Sequence, residues 1–160
     1  MIDGSAISSC FGCYSSEMAE QTQRKQFAAL PYRIDEGGQL EVLLVTSRDT
    51  GRWVLPKGWP MKKKAPHQAA AIEAYEEAGA VGIASEIPIG AYEYDKQTEQ
   101  ELIHCRVEVY PLLVDHLEEI WPEQNSRTRT WFKPKHAAER VQEPALQALI
   151  QRLRGALPAG

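Results

Sequence analysis

The chain has 160 residues, 43% hydrophobic and 25% charged, with 18 Lys and Arg against 22 Asp and Glu for a net charge of −4. One domain with a sizeable buried core is the expectation at this length, and the acidic balance argues against broad electrostatic binding of nucleic acid. No run is long and apolar enough for a membrane-spanning helix. The opening MIDGSAISS lacks the basic and apolar regions of a secretory leader, and three unframed cysteines (Cys10, Cys13, Cys105) suit a reducing, cytoplasmic setting.

Residues 1–16 are rich in Ser and Gly without a period and read as a loosely attached arm. Cys10-Phe-Gly-Cys13 is a lone C-x-x-C, without the helix start or second ligand pair that a redox or zinc role needs. Glu17 to Lys25 suggests a short polar helix. This divides the chain into an arm over 1–25, a domain over 26–154 and a tail over 155–160. Gln26 to Ile34 and Leu40 to Arg48 are strand-like and are joined by the turn Asp35-Glu36-Gly37-Gly38, a hairpin pattern. Trp53 to Leu55 is a short strand that Pro56 ends.

A helix is expected before Gly79, which supplies a left-handed stop. Beyond it, Ile87 to Tyr94 alternates as a strand, and Asp95 to Gln100 is a polar loop. Leu102 to Val114 is a long strand in which Pro111 suggests an edge or a bulge, and Cys105 reads as a small buried hydrophobe. Leu117 to Arg127 is a loop, Arg129 to Phe132 a strand, and Lys135 to Arg140 a helix. Pro144 to Arg154 is a closing helix with Leu146, Leu149, Ile150 and Leu153 on one stripe. The order implies an α/β fold, a sheet with helices packed on it.

The chemistry concentrates between Gly58 and Ala80, GWPMKKKAPHQAAAIEAYEEAGA. At about 100° per residue, Glu73, Glu76 and Glu77 share an arc of about 100° on one helix. Like charges at these spacings cost a helix roughly 0.2–0.5 kcal/mol per pair. Keeping all three points to an external cation, and carboxylates alone suit Mg²⁺ or Mn²⁺ better than zinc. Ala71, Ala74, Tyr75 and Ala78 fall on the opposite face, for packing on the sheet. A solvated acidic face is the competing reading.

The stretch resembles the Nudix box, G-x5-E-x7-R-E-U-x-E-E-x-G-U, where U is a bulky apolar residue. Gly58, Glu73, Glu76, Glu77 and Gly79 match in register. Lys64 stands at the first glutamate and Ile72 at the arginine, two residues that brace the loop-helix-loop or tune its acidic centre. Ala74 and Ala80 stand at the bulky positions. The resemblance implies an α/β/α sandwich around a mixed sheet. It also implies a metal site of Glu73, Glu76 and Glu77 and hydrolysis of a phosphoanhydride. The order of elements is most similar to the diphosphoinositol polyphosphate and diadenosine polyphosphate hydrolase branch.

A divalent ion at these glutamates would neutralise phosphate oxygens and lower the pKa of water. The general base is Glu77 itself or a loop carboxylate. Glu118, Glu119 and Glu123 lie in one loop and Glu93, Glu99 and Glu101 around another; Glu119 is singled out. Arg48 and Arg52 could clamp a phosphate, Lys57 beside Gly58 could reach one, and Trp59 could stack on a base. Each also reads as ordinary surface or packing. Lys62, Lys63 and Lys64 oppose the helix dipole, either to capture polyphosphate or as a solvated loop. His67 and His104 are favoured as structural.

The expected partner is therefore a phosphorylated small molecule. A Nudix-fold binding module that has lost efficient turnover is the alternative, favoured by Lys64 and Ile72. Action on RNA 5′ ends is a third reading, disfavoured by the acidic charge.

Overall fold

In the computed structural model, residues 23–157 are described. Strand β1 (Gln23–Ile34) is buried without a break from Gln26 to Tyr32, as a strand covered on both faces must be. It pairs in parallel with β7 (Leu102–Leu117), from Gln23 opposite His104 to Tyr32 opposite Leu113. On its other side it pairs antiparallel with β2 (Leu40–Thr46), which closes the expected hairpin, Ile34 opposite Leu40. Strands β3 (Trp53–Val54) and β8 (Arg129–Phe132) pair with β2. The two-residue β4 (Lys57–Gly58) pairs with β1. Strands β5 (Ala80–Ala84) and β6 (Gly90–Gln97) lie antiparallel to successive parts of β7. The result is one mixed sheet with the path β3-β2-β1-β7-β5.

Alternation along the strands sends side chains to two faces. Phe27, Ala29, Leu43, Val45 and Leu112 meet helix α1 (Pro66–Ala78) on one face, against its Ala69, Ala70, Ala74 and Ala78. Ala28, Leu30, Val42, Leu44 and Val107 meet the other three helices on the second face. These are α2 (Pro134–Arg140), α3 (Pro144–Gln151) and α4 (Leu153–Ala156). Leu146, Leu149, Ile150 and Leu153 are buried there as one stripe. The fold is the α/β/α sandwich expected. No helix of the described residues is long and apolar enough to cross a membrane.

Several expectations are corrected. Gln23 to Lys25 belong to β1, not to a helix, because pairing with β7 extends the strand; the rest of that helix, the arm over 1–16 and the Cys10–Cys13 pair lie outside the described residues. Strand β5 follows directly on Gly79, where no strand was expected, and β6 begins only at Gly90, leaving Ile87 exposed. Pro111 is buried in the central β7. Its carbonyl accepts from Ser85 N at 2.8 Å, so its ring nitrogen faces the same side, in the gap between the end of β5 and the start of β6. No ladder donor is needed in that gap, so proline is tolerated there. The closing helix breaks at Arg152. Tyr75 is exposed, because the buried stripe of α1 centres on Ala70 and Ala74 and takes in Glu77. Cys105 is buried, as expected.

Candidate active site

Helix α1 begins with Pro66 at its first turn, after Ala65, which has no side chain able to cap it. Gln68 Oε1 accepts from Ala65 N at 2.9 Å. The helix ends at Gly79, whose φ of 65° lies in the left-handed region that glycine enters without strain. Between these ends, Glu73 and Glu77 are one turn apart and both enter a cleft of about 300 Å³. Glu76, at the far side of the arc, is half-buried and does not line it. Gly58 on β4 lies directly against Glu73: a Cβ there would overlap the Glu73 carboxylate. Glycine at this position is thus a steric requirement of the carboxylate's place.

Burial and the negative charges of Glu76 and Glu123 push Glu73 up to about 7. Glu77 is 5% exposed, and burial pushes it up to about 8 against the pull of Arg127 and Lys57. Glu123 joins the cleft from the loop before β8. Arg127 lies between the acids. Its Nε donates to Glu123 Oε1 at 2.8 Å, its Nη2 is 3.4 Å from Glu77 Oε1, and its Nη1 donates to Thr46 O at 3.0 Å.

The same lining carries three basic residues, Arg48, Lys57 and Lys96, and Arg48 Nε lies 3.8 Å from Glu123 Oε1. The Lys57 amine lies 5.0 Å from the Tyr94 ring centroid, and burial lowers its pKa to about 8. Tyr94 Oη donates to the buried Gln26 at 2.7 Å, which fixes that part of the lining. Trp59 stands at the rim, 40% exposed.

Of the residues singled out from sequence, Glu73, Glu77, Arg48, Lys57, Gly58 and Trp59 meet in the cleft. Arg52 does not line it and pairs with Glu143 at 3.2 Å. Glu119 is exposed and outside the lining, as are Lys62, Lys63 and Lys64. Glu123 is only one of several loop acids in the sequence, and no local pattern there sends Arg127, Gln26 or Lys96 into the cleft. A Glu four residues before an Arg hints at the Glu123–Arg127 pair, but nothing local says that both turn inward.

Among the described residues, no three His, Cys, Asp or Glu side chains converge as a ready-made metal cage. The donor set nonetheless fits a hard divalent cation. Half-buried Glu73 and buried Glu77 repel each other and open on one cleft, and Mg²⁺ commonly takes one or two carboxylates together with water and substrate phosphate.

The sequence model of the NUDIX domain matches residues 24–153. The chain belongs to the Nudix hydrolase family. It is 36% identical over 136 residues to Nudix hydrolase 21, chloroplastic, of Arabidopsis thaliana, covering 81% of this chain and 67% of that protein. It is 33% identical over 136 residues to the human diphosphoinositol polyphosphate phosphohydrolase 3-alpha, covering 82% of this chain and 78% of that protein. The chain spans 60% to 67% of the length of four plant relatives. The C. elegans Ap4A hydrolase superposes with a TM-score of 0.61 at 18% identity, over 84% of this chain and 98% of that one, a likeness of fold.

Nudix hydrolases act on acid anhydrides, generally with divalent metal ions such as Mg²⁺. In this Nudix domain the two departures from the box lie away from the cleft. Lys64 is on the exposed loop before α1, and half-buried Ile72 lines a separate surface groove with Ala71, Tyr75 and Leu112.

Proposed function

We propose that this protein is a Mg²⁺-dependent pyrophosphohydrolase that cleaves a phosphoanhydride in a small polyphosphorylated molecule. The observation that carries the reading is that half-buried Glu73 and buried Glu77 share one cleft with Arg48, Lys57 and Lys96. Substrates in view are diphosphoinositol polyphosphates, diadenosine polyphosphates and other nucleoside diphosphate derivatives. The first two follow from relatives so named. The cytoplasm is the proposed setting, on the cysteine usage.

Glu73 and Glu77 would hold the cation, with Glu76 at the margin; Mn²⁺ would fit the same donors. When bound, the cation supplies charge neutralisation at phosphate oxygens and acidifies water. Arg48, Lys57 and Lys96 hold the remaining phosphate charge, and Trp59 covers the rim. Water attacks one phosphorus, the P–O–P bridge breaks, and the bridging oxygen leaves with the other phosphate. The proton of the water passes to a carboxylate of the cleft, Glu77 or Glu123. Glu123 takes the part of loop acid because it lines the cleft, which Glu119 does not. Positioning and electrostatics account for most of the acceleration.

The test is phosphate-product release from a panel of these substrates, nucleoside triphosphates, nucleotide sugars and ADP-ribose, with and without Mg²⁺ or Mn²⁺. Metal-dependent cleavage of one class is expected, and Glu77→Gln should lower it about 100-fold or more, beyond what a mere supporting partner costs. Pure protein that binds Mn²⁺ and cleaves no member would overturn the reading.

A further inference from the structure

A helix leaves its last carbonyls without partners of its own. At the end of α1 one segment, residues 118–129, supplies a donor to four in succession. Glu123 N donates to Glu76 O at 3.0 Å, and Trp121 Nε1 to Glu77 O at 3.0 Å. Arg129 Nη1 donates to Ala78 O at 2.8 Å, and Glu118 N to Gly79 O at 2.7 Å. Arg129 also stacks on the Trp121 ring at 3.8 Å, holding two of those donors together.

Arg127 carries this seam into the cleft. Its side chain is 9% exposed, and its three nitrogens reach three elements: Glu77 on α1, Glu123 on the loop and the Thr46 carbonyl on β2. Thr46 is itself tied to the segment, donating from its N to Thr128 O at 3.0 Å and accepting from Thr128 N at 2.9 Å. Ile72, where the box pattern has its arginine, lies on another side of α1 and has no charge to offer these acids.

We infer that Arg127 is the positioning residue of this carboxylate site. Its planar guanidinium sets the separation and orientation of Glu77 and Glu123, a task that no residue of the box performs here. One ammonium cannot do the same, because it lacks the fixed fork that spans several acceptors. The inference rests on the proposed hydrolysis for its kinetic readout, but not for its binding readout.

The experiment combines Mn²⁺ titration with steady-state kinetics on wild type, Arg127→Ala and Arg127→Lys, with circular dichroism reporting folding. Arg127→Ala is expected to weaken Mn²⁺ binding and lower kcat, each by about 10–100-fold, the range for groups that orient metal ligands. KM for the phosphorylated substrate stays near wild type. Arg127→Lys, which keeps the charge, stays close to the alanine variant. Added guanidinium restores part of the activity of Arg127→Ala and none is gained by wild type. If Arg127→Ala does not fold, Arg127→Lys carries the test. Either variant, folded and with wild-type Mn²⁺ affinity and kcat, overturns the inference. So does a raised KM at unchanged kcat, which would make Arg127 a substrate ligand. Should wild type cleave no substrate, the hydrolase reading fails while the Mn²⁺ titration still decides Arg127.

Discussion

The two ends of α1 are held in opposite ways. At the amino end, Ala65 offers no side-chain cap, Lys62, Lys63 and Lys64 are exposed, and Lys63 has a φ of 62°, a conformation that costs a side chain with a Cβ. At the carboxyl end, four successive carbonyls each have a donor from residues 118–129. The carboxylates of the cleft lie in the half of the helix next to the held end. A box can therefore lose its first glutamate at Lys64 without moving them, because that position belongs to the loose end.

Among changes that set the two ends of α1 against each other, the largest effect expected is at Gly58, where the cleft meets the helix. Gly58→Ala drives a methyl group into the Glu73 carboxylate. The nearest atoms met all belong to the Glu73 carboxylate, the free end of a flexible side chain that can swing aside, so Tm should change little, while displacement of Glu73 should weaken Mn²⁺ binding by about 10–100-fold. Calorimetric titration and thermal melting measure both. Lys64→Glu is the contrast at the loose end: stability should change by less than about 0.5 kcal/mol, with kcat near wild type. A large rise in kcat for Lys64→Glu would break the comparison, since it would show that the amino end does limit the site.

Trp121→Phe and Lys63→Gly probe the ends separately. The first keeps an aromatic ring against Arg129 but removes the donor to Glu77 O. Leaving a buried carbonyl unpaired costs about 1–3 kcal/mol. The second relieves a left-handed side chain and should gain up to about 1 kcal/mol, the glycine's added freedom in the unfolded chain offsetting part of the relief. Opposite shifts in Tm are the expected outcome; equal destabilisation by both would mean that the amino loop is as tightly held as the carboxyl end.

Much of this was legible in the sequence because period and turn chemistry are local. The hairpin of β1 and β2, the strand from Arg129 to Phe132 and the stripe Leu146–Leu149–Ile150–Leu153 all declare themselves within a few residues. The left-handed stop at Gly79 does too. Strand β5 was not legible, because AVGIA is short and owes its strand form to β7. Within the site, helical spacing together with the match to the Nudix box pointed to Glu73, Glu76 and Glu77, but spacing could not say that Glu76 stays outside the cleft lining. Glu123 could not be chosen over Glu119, since the choice is made by Arg127 and by a backbone bond to Glu76 across 47 residues of chain (123 minus 76). Nor could Arg52 be sent to Glu143, a contact between distant segments.

The smallest effect concerns pH and again separates the ends. His116 lies beside the held end: its Nδ1 is 2.7 Å from Asp115 Oδ2 and its Nε2 is 3.0 Å from Glu118 Oε1, while the backbone N–H of Glu118 caps Gly79. Hydrogen bonds to Asp115 and then Glu118 raise the imidazole pKa above its ordinary value of 6.5. A folded pKa raised in this way gives stability that is fully present below the unfolded pKa and is lost as pH rises through the folded one. The Tm gap between wild type and His116→Asn should then be widest below the ordinary imidazole pKa and close as pH rises past the raised folded one. Added salt should narrow it, because the ring is exposed and such pairs are screened. A gap that persists unchanged across this range would mean that the ring contributes by packing, and that the charge pair adds nothing to the seam at Gly79. The Lys63→Gly shift, which comes from relief of the left-handed backbone, should stay level with pH and serves as the internal reference.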